Sequence, residues 1–337
     1  MTARVKMALL GCGNIAQSHW QGIQDHASLI EVTTLVDTDL SRAEAMAEQT
    51  DGQAFDSLEK ALAAGDFAAV DIMLPHHLHE EAALRSFAAG KHVVLEKPMA
   101  PTLDACERIL AAAKEAGTVF MVAEQSHYWP DALKAQQLIQ DGTIGQPISA
   151  RATFTSAAET YSGPKPWRYY LEKMGGGVCI DGGAHWIRPL RMWLGEIDEV
   201  VAVVGHPETE MEGESLTRAL LRFDSGVVAV FEALYGGEFE RPGEEFRITG
   251  TKGELVIQKG DGDHLTLFDQ AHPEGALIRT TGSGREAGFG YELADFTHAI
   301  IKGKPLAATP EYSLGELRTA LAIYRSATTR QWEKVWA

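Results

Sequence analysis

Near the amino terminus a continuous apolar run, Val5–Leu10, stops at Gly11-Cys12-Gly13 and gives way to a helical pattern from about Ile15. This junction constrains the fold more than any other feature of the chain. An apolar run without polar alternation is a strand buried on both faces, the environment of a parallel sheet covered by helices. The pattern then repeats. Glu31–Val36, Ala69–Leu74, Val93–Glu96 and Val119–Ala123 read as further strands. Ser41–Gln49, Glu80–Ala89 and Leu103–Ala116 read as helices between them, with Gly90 and Gly117 as helix stops. Strands alternating with helices predict an α/β domain with a parallel sheet over residues 1–124.

After Glu124 the texture changes. One helical stretch, Pro130–Gln140, precedes longer β-type runs at Ile148–Phe154, Val200–Val204, Leu216–Phe223, Val227–Ala233, Phe246–Thr249, Glu254–Ile257 and Leu265–Phe268. Asp224-Ser225-Gly226 between two of them predicts a hairpin turn. Residues 125–337 are therefore expected to form an α+β domain on an open, mostly antiparallel sheet. A last helix, Leu314–Arg325, closes the chain and is able to pack back on the first domain, while Glu238-Phe239-Glu240-Arg241 and Gly282–Gly290 read as loops. A length of 337 residues suits two such cores.

The glycine turn carries chemistry as well as shape. Gly11 permits the tight turn, and Gly13 lets the main chain of Asn14 and Ile15 approach a pyrophosphate seated on the helix N-terminus, with Ala16 at the third position of the fingerprint. That is the start of a Rossmann dinucleotide-binding domain, although an ordinary glycine-rich turn has the same outline. Asp37 lies 24 residues beyond Gly13 at the end of the second strand. A carboxylate there accepts hydrogen bonds from adenosine ribose hydroxyls and repels a 2′-phosphate, which predicts NAD over NADP. Arg42 nearby softens that discrimination. The formal charge of −17 repels phosphate backbones and anionic lipid, so neither nucleic acid nor a membrane is an expected partner. Three sparse cysteines, Cys12, Cys106 and Cys179, fit no disulfide framework or zinc spacing, and the apolar run Met7–Leu10 is too short for a secretion signal, so a cytoplasmic protein is expected.

Further candidates follow along the chain. Lys97 closes the stretch Gly90-Lys91-His92-Val93-Val94-Leu95-Glu96-Lys97 at the carboxyl end of a parallel strand, where α/β folds bind ligands. An ammonium there can stabilise the oxygen charge that develops as hydride leaves a carbinol carbon, or it can simply neutralise Glu96 or face solvent. Asp181 and His185, four residues apart, share a face if that segment is helical, and Pro189 would then leave the carbonyl of His185 without its intrahelical partner. The imidazole is suited to accept a hydroxyl proton, although as a lone residue it reads more often as a satisfied core histidine than as a base. His76, His77 and His79 lack the spacing of a metal site, and the loop from Pro75 and His76 is expected beside the nicotinamide instead. Tyr128, Trp167 and Arg168 suit the C–H faces and hydroxyl edges of a polyol, whereas Trp129 and Tyr170 read as packing residues.

Taken together, the sequence resembles the Gfo/Idh/MocA family of sugar and cyclitol oxidoreductases over nearly its whole length. The likeness rests on the glycine turn, Glu96-Lys97-Pro98, Gly175-Gly176-Gly177, the Asp181…His185 pair, and a closing segment from Tyr291-Glu292-Leu293 to Ala322-Ile323-Tyr324-Arg325-Ser326. It implies that Lys97, Asp181 and His185 are catalytic, that Glu96 and Lys97 lie at the cofactor, and that the Lys97–Pro98 bond is cis. In this family Asn is common where His76 stands. The resemblance further implies a homodimer or homotetramer assembled through the second domain's sheet, whose runs Val200–Val204 and Val227–Val230 carry more apolar residues than one buried face needs. The expected activity is oxidation of a secondary alcohol of a sugar, cyclitol or related polyol by hydride transfer to NAD(P). An NAD-retaining glycosidase and a non-enzymatic NAD-dependent regulator are the alternatives that the same fold allows.

Overall fold

The computed structural model describes residues 4–157, 166–236, 245–259, 264–280 and 285–337. The chain divides into two compact units. The first holds the described residues up to Gln125 together with Glu286–Leu314, and the second holds the rest, including Gly315–Ala337. The expected boundary at 124/125 therefore places one segment wrongly. The helix that returns to the first unit comes from residues 286–302, and the final helix belongs to the second unit.

The first unit is a six-stranded parallel sheet in the order β3-β2-β1-β4-β5-β6, formed by Gln53–Phe55, Ile30–Val36, Val5–Leu10, Ala69–Ile72, His92–Glu96 and Phe120–Ala123. Its central strand β1 pairs with β2 on one side and β4 on the other, so the chain direction of the crossovers reverses beside Gly11. That reversal opens a crevice at the carboxyl ends of β1 and β4. The helices are α1 (Asn14–His26), α2 (Leu40–Thr50), α3 (Leu58–Ala64), α4 (His79–Ala88) and α5 (Leu103–Ala116). Their ends follow local chemistry: Asp39, Ser57 and Thr102 cap α2, α3 and α5, and Gly117 in the left-handed region ends α5.

The second unit carries a nine-stranded sheet in the order β14-β13-β12-β11-β7-β10-β9-β8-β15. These strands are Ala276–Ile278, His264–Asp269, Gly253–Gln258, Glu245–Gly250, Pro147–Ser156, Val228–Tyr235, Leu216–Phe223, Ile197–Gly205 and Glu333–Lys334. Every pairing is antiparallel except β7 with β10. The helices are α6 (Pro130–Gln140), α7 (Leu171–Met174), α8 (Ala184–Leu194) and α10 (Leu314–Thr329). One face of the sheet builds an aromatic core in which Trp186 stacks on Phe246 at 5.8 Å and meets Phe154 at 4.6 Å. On the other face Val230 stands opposite Leu220, and Val203 is 65% exposed. Cross-strand ion pairs Arg218–Glu232 and Arg222–Glu199 lie on that same open face.

Several expectations need correction. The strand β3 and the helix α3 were not anticipated because three residues and seven residues are too short to show a period. The stretch 285–290, expected as part of a loop, is the start of the helix α9 (Arg285–Lys302). Its Gly290 serves close packing, since a Cβ there would sit 2.6 Å from the carbonyl oxygen of Gly22 on α1. Residues 238–241 and 282–284 lie outside the described residues.

Candidate active site

In the first unit the crevice is lined by the glycine turn. Gly11 has φ +94°, and a Cβ on it would lie 2.4 Å from the carbonyl oxygen of Met73, so only glycine fits. Gly13 caps α1 with no side-chain hydrogen bond to the first turn, and a Cβ there would meet nothing within 4 Å. Gly13 therefore borders open space at the start of α1, which suits a pyrophosphate. Asp37 is held at the end of β2 by two main-chain donors, Cys12 N–H to Oδ2 and Asp39 N–H to Oδ1, both at 2.9 Å. Arg42 pairs with Asp39 at 3.4 Å. An uncapped helix start beside a strand-end carboxylate fits a dinucleotide.

The turns after β4 and β5 lie at the same carboxyl edge of the sheet. Pro75 precedes a 3-10 turn at His76–Leu78, and His76 is buried with its ring 5.7 Å from that of His79. The buried His79 ring lies between two carbonyls, Leu74 O at 2.8 Å and Pro98 O at 2.9 Å, which ties the two turns together. The Lys97–Pro98 bond is cis, as expected from the resemblance. Glu96 is buried and accepts the main-chain N–H of Lys97 at 3.0 Å. Lys97 alone is half-exposed in a run, Val93–Ala100, that is otherwise buried.

In the second unit His185 has the same standing. It occupies the second position of α8, whose Ala184, Trp186–Arg191, Trp193 and Leu194 are buried, while His185 itself keeps partial exposure. The helix runs through Pro189. Asp181, however, is not on that helix. It lies in a tight turn in which Ala184 N–H bonds Asp181 O and His185 N–H bonds Gly182 O, both at 3.3 Å. The turn needs glycine at its second position, since a Cβ on Gly182 would lie 2.2 Å from the ring of Phe154. Asp181 accepts from Arg168 Nε at 3.0 Å and from the Tyr235 hydroxyl at 3.4 Å. Arg168, expected to meet substrate, thus also orients Asp181, and its guanidinium lies 4.5 Å over the Trp167 ring. Trp167 and Arg168 are partly exposed, but Tyr128 is buried, which weakens its candidacy for substrate. Trp129 is core, packed against Trp186 and under the ammonium of Lys259.

Sequence reasoning missed the groups beneath these residues. Asp71 sits mid-strand in Ala69-Val70-Asp71-Ile72, and a charge inside an apolar strand is the signal that a partner must be buried with it. The glycine run 175–177 likewise hid a partner, since a Cβ on Gly177 would lie 1.8 Å from the carbonyl oxygen of Glu214. Glu214 accepts from Cys179 N–H at 2.9 Å and from the Tyr324 hydroxyl at 3.1 Å, holding the segment that leads to Asp181. Burial pushes its carboxyl up to about 7, against the opposing pull of those donors. An acid whose pKa folding raises loses stability as pH climbs from its unfolded value, 4.5, through the folded one. That loss amounts to about 3 kcal/mol above neutral pH. Glu214→Gln cannot ionise, so between pH 5 and 8 its stability should gain on the parent by about 2–3 kcal/mol in urea unfolding. A stability difference independent of pH would contradict the assignment.

Comparison with known proteins agrees with this geometry. The family model described as oxidoreductase family, NAD-binding Rossmann fold, matches residues 5–124, and the GFO/IDH/MocA C-terminal domain model matches residues 132–256. The chain belongs to the Gfo/Idh/MocA family of oxidoreductases. Within the family it is 31% identical to 1,5-anhydro-D-fructose reductase of Ensifer adhaerens, covering 97% of each chain. It is 28% identical to levoglucosan dehydrogenase of Pseudarthrobacter phenanthrenivorans, covering 80% of each. The solved structure of an NAD-binding oxidoreductase from Klebsiella pneumoniae superposes with a TM-score of 0.85 at 26% identity, covering 99% of both chains. Like its Gfo/Idh/MocA relatives, the chain pairs a parallel Rossmann unit with a mostly antiparallel sheet. Among the described residues no helix is long and apolar enough to cross a membrane.

Proposed function

We propose that this oxidoreductase interconverts a secondary alcohol and a ketone on a neutral sugar, anhydrosugar or cyclitol, with NAD(H) as the preferred cofactor. The observation that carries the reading is the placement of Lys97 and His185, each the partly exposed polar residue in an otherwise buried stretch of a dinucleotide-binding oxidoreductase. Bound nicotinamide supplies hydride acceptance and donation. Gly11, Gly13, Asn14 and Ile15 hold the pyrophosphate through main-chain N–H groups. Asp37 binds the ribose hydroxyls, with Arg42 at the adenosine end, and Pro75, His76, Glu96 and Lys97 frame the nicotinamide end. Trp167 and Arg168 present an aromatic face and a cation to the polyol. In the oxidation direction the Lys97 ammonium stabilises the developing alkoxide and His185 takes the hydroxyl proton, while Asp181 with Arg168 sets the charge beside it.

The test is an absorbance screen at the NADH band with a panel of sugars, anhydrosugars and cyclitols, run with both cofactors. Net reduction of NAD is expected. Turnover without net reduction would favour the NAD-retaining glycosidase, and no turnover at all would favour a regulator. Because Asp37 would face a 2′-phosphate, fluorescence titration should give tighter binding of NADH than NADPH, and a preference for NADPH would refute the assignment.

The open sheet face of Val203, Leu220 and Val230 is proposed to pair with a second copy of the chain. Light scattering at micromolar protein should then give a multiple of 36.6 kDa, and a monomer mass would exclude the pairing.

A further inference from the structure

We propose that His19, buried between Asp71 and Glu96, is a positioning residue for Lys97. His19 lies on α1 and is fully buried. Its Nδ1 is 2.7 Å from Asp71 Oδ2 on β4, and its Nε2 is 2.9 Å from Glu96 Oε1 at the end of β5. The second oxygen of Glu96 accepts the main-chain N–H of Lys97. That N–H also lies 3.2 Å from Ala123 O, so it is divided between the strand ladder and the carboxylate. A continuous hydrogen-bonded chain therefore runs from β4 through the imidazole and Glu96 to the backbone of the lysine.

The proton count defines how the device works. A neutral imidazole has one N–H and cannot donate to two carboxylates at once. Two short contacts to carboxylates require one proton more, which the doubly protonated ring supplies. The two carboxylates hold the His19 pKa well above the ordinary histidine range in spite of burial, which opposes the charge. Glu292 of α9 is fully buried with no hydrogen-bond partner for either carboxyl oxygen among the described residues. Burial holds its proton on, reinforced by Glu96, Glu124 and Asp71 and opposed by His19. The ring of Phe289 closes one side at 5.0 Å. A buried ion set of this kind costs desolvation and is poor value as a source of stability, whereas it fixes geometry sharply. What it fixes is the carboxylate that grips the main chain of Lys97.

This inference rests on the catalytic reading of Lys97, and the experiment separates the two. His19→Asn, whose side chain reaches one carboxylate only, is combined with Lys97→Met in a double-mutant cycle, with unfolding transitions and NADH affinity measured for every variant. His19→Asn should lower kcat by about 10- to 100-fold with less than about threefold change in KM and in NADH affinity, and should cause no further loss in the Lys97→Met background. In 15N-labelled protein without cofactor, both ring nitrogens of His19 should be protonated at pH 7 and should not titrate between about pH 6 and 8. Equal fractional losses in both backgrounds, or parent kcat in His19→Asn, would overturn the positioning role. Parent kcat in Lys97→Met would instead overturn the lysine reading and the inference with it. If His19→Asn shows no cooperative unfolding, Glu96→Gln takes its place in the cycle, because it keeps the volume and removes the charge. The same non-additivity is expected, and additive losses would overturn the role.

Discussion

Lys97→Met and His185→Ala are each expected to lower kcat by about two to four orders of magnitude, with much smaller effects on cofactor affinity. Both groups act on charge and protons that exist only as hydride moves, so their removal falls on the transition state rather than on binding. Asp181→Asn should be milder, because the position still bonds Arg168 and Tyr235 while its charge is lost. Steady-state kinetics on the polyol found in the screen, with cofactor binding measured separately, make the comparison. Near-parent kcat in both single variants would move the chemistry away from these residues.

A second large effect is expected at a position with no role in chemistry. The helix α8 carries two buried guanidiniums, Arg188 and Arg191, and both meet Glu316 of α10. Arg188 binds that carboxylate in bidentate fashion at 2.8 and 2.9 Å, while Arg191 also bonds Glu196 at 2.6 and 2.9 Å. Glu316→Ala leaves buried cations without their shared counter-charge and should cost about 3–5 kcal/mol of stability. In a unit of this size that corresponds to a fall in Tm of roughly 10 °C. Urea unfolding measures it, and a loss under about 1 kcal/mol would show that the guanidiniums find other partners. Because α8 also presents His185, kcat should fall along with stability before the transition midpoint is reached.

The long elements were legible because a period needs room. The helices Leu103–Ala116 and Pro130–Gln140 and the strands Val5–Leu10 and Leu216–Phe223 are found at their expected bounds. The three-residue β3 and β14 and the two-residue β15 are edge strands whose existence depends on neighbours far along the chain. The turn at Gly11 and the acid Asp37 at the end of β2 were legible because a tight glycine turn and a strand-end carboxylate leave local signatures. The pair Asp181 and His185 would share a face only if the segment were helical, whereas the helix starts at Ala184 and a turn at Gly182, packed on Phe154, separates them. His19 and Glu292 left almost no trace. A histidine beside Ala16, Gly22 and Ile23 on a buried helical face looks apolar in pattern, and its partners lie 52 and 77 positions away.

The return of α9 to the first unit bears on the order in which the protein is made. A ribosome that has completed β6 has produced every strand of the parallel sheet, yet Phe289 and Glu292, which close over His19, are still about 165 codons from synthesis. Until they emerge, the His19–Asp71–Glu96 set faces water, and the groove that Gly22 leaves for Gly290 stands empty. The nucleotide-binding half is therefore finished late, after eight of the nine strands of the second sheet have been translated, and vectorial folding of the two halves is interleaved rather than sequential. A fragment ended at residue 125 should accordingly emerge as an expanded, apolar-exposing species in place of a small autonomous nucleotide binder.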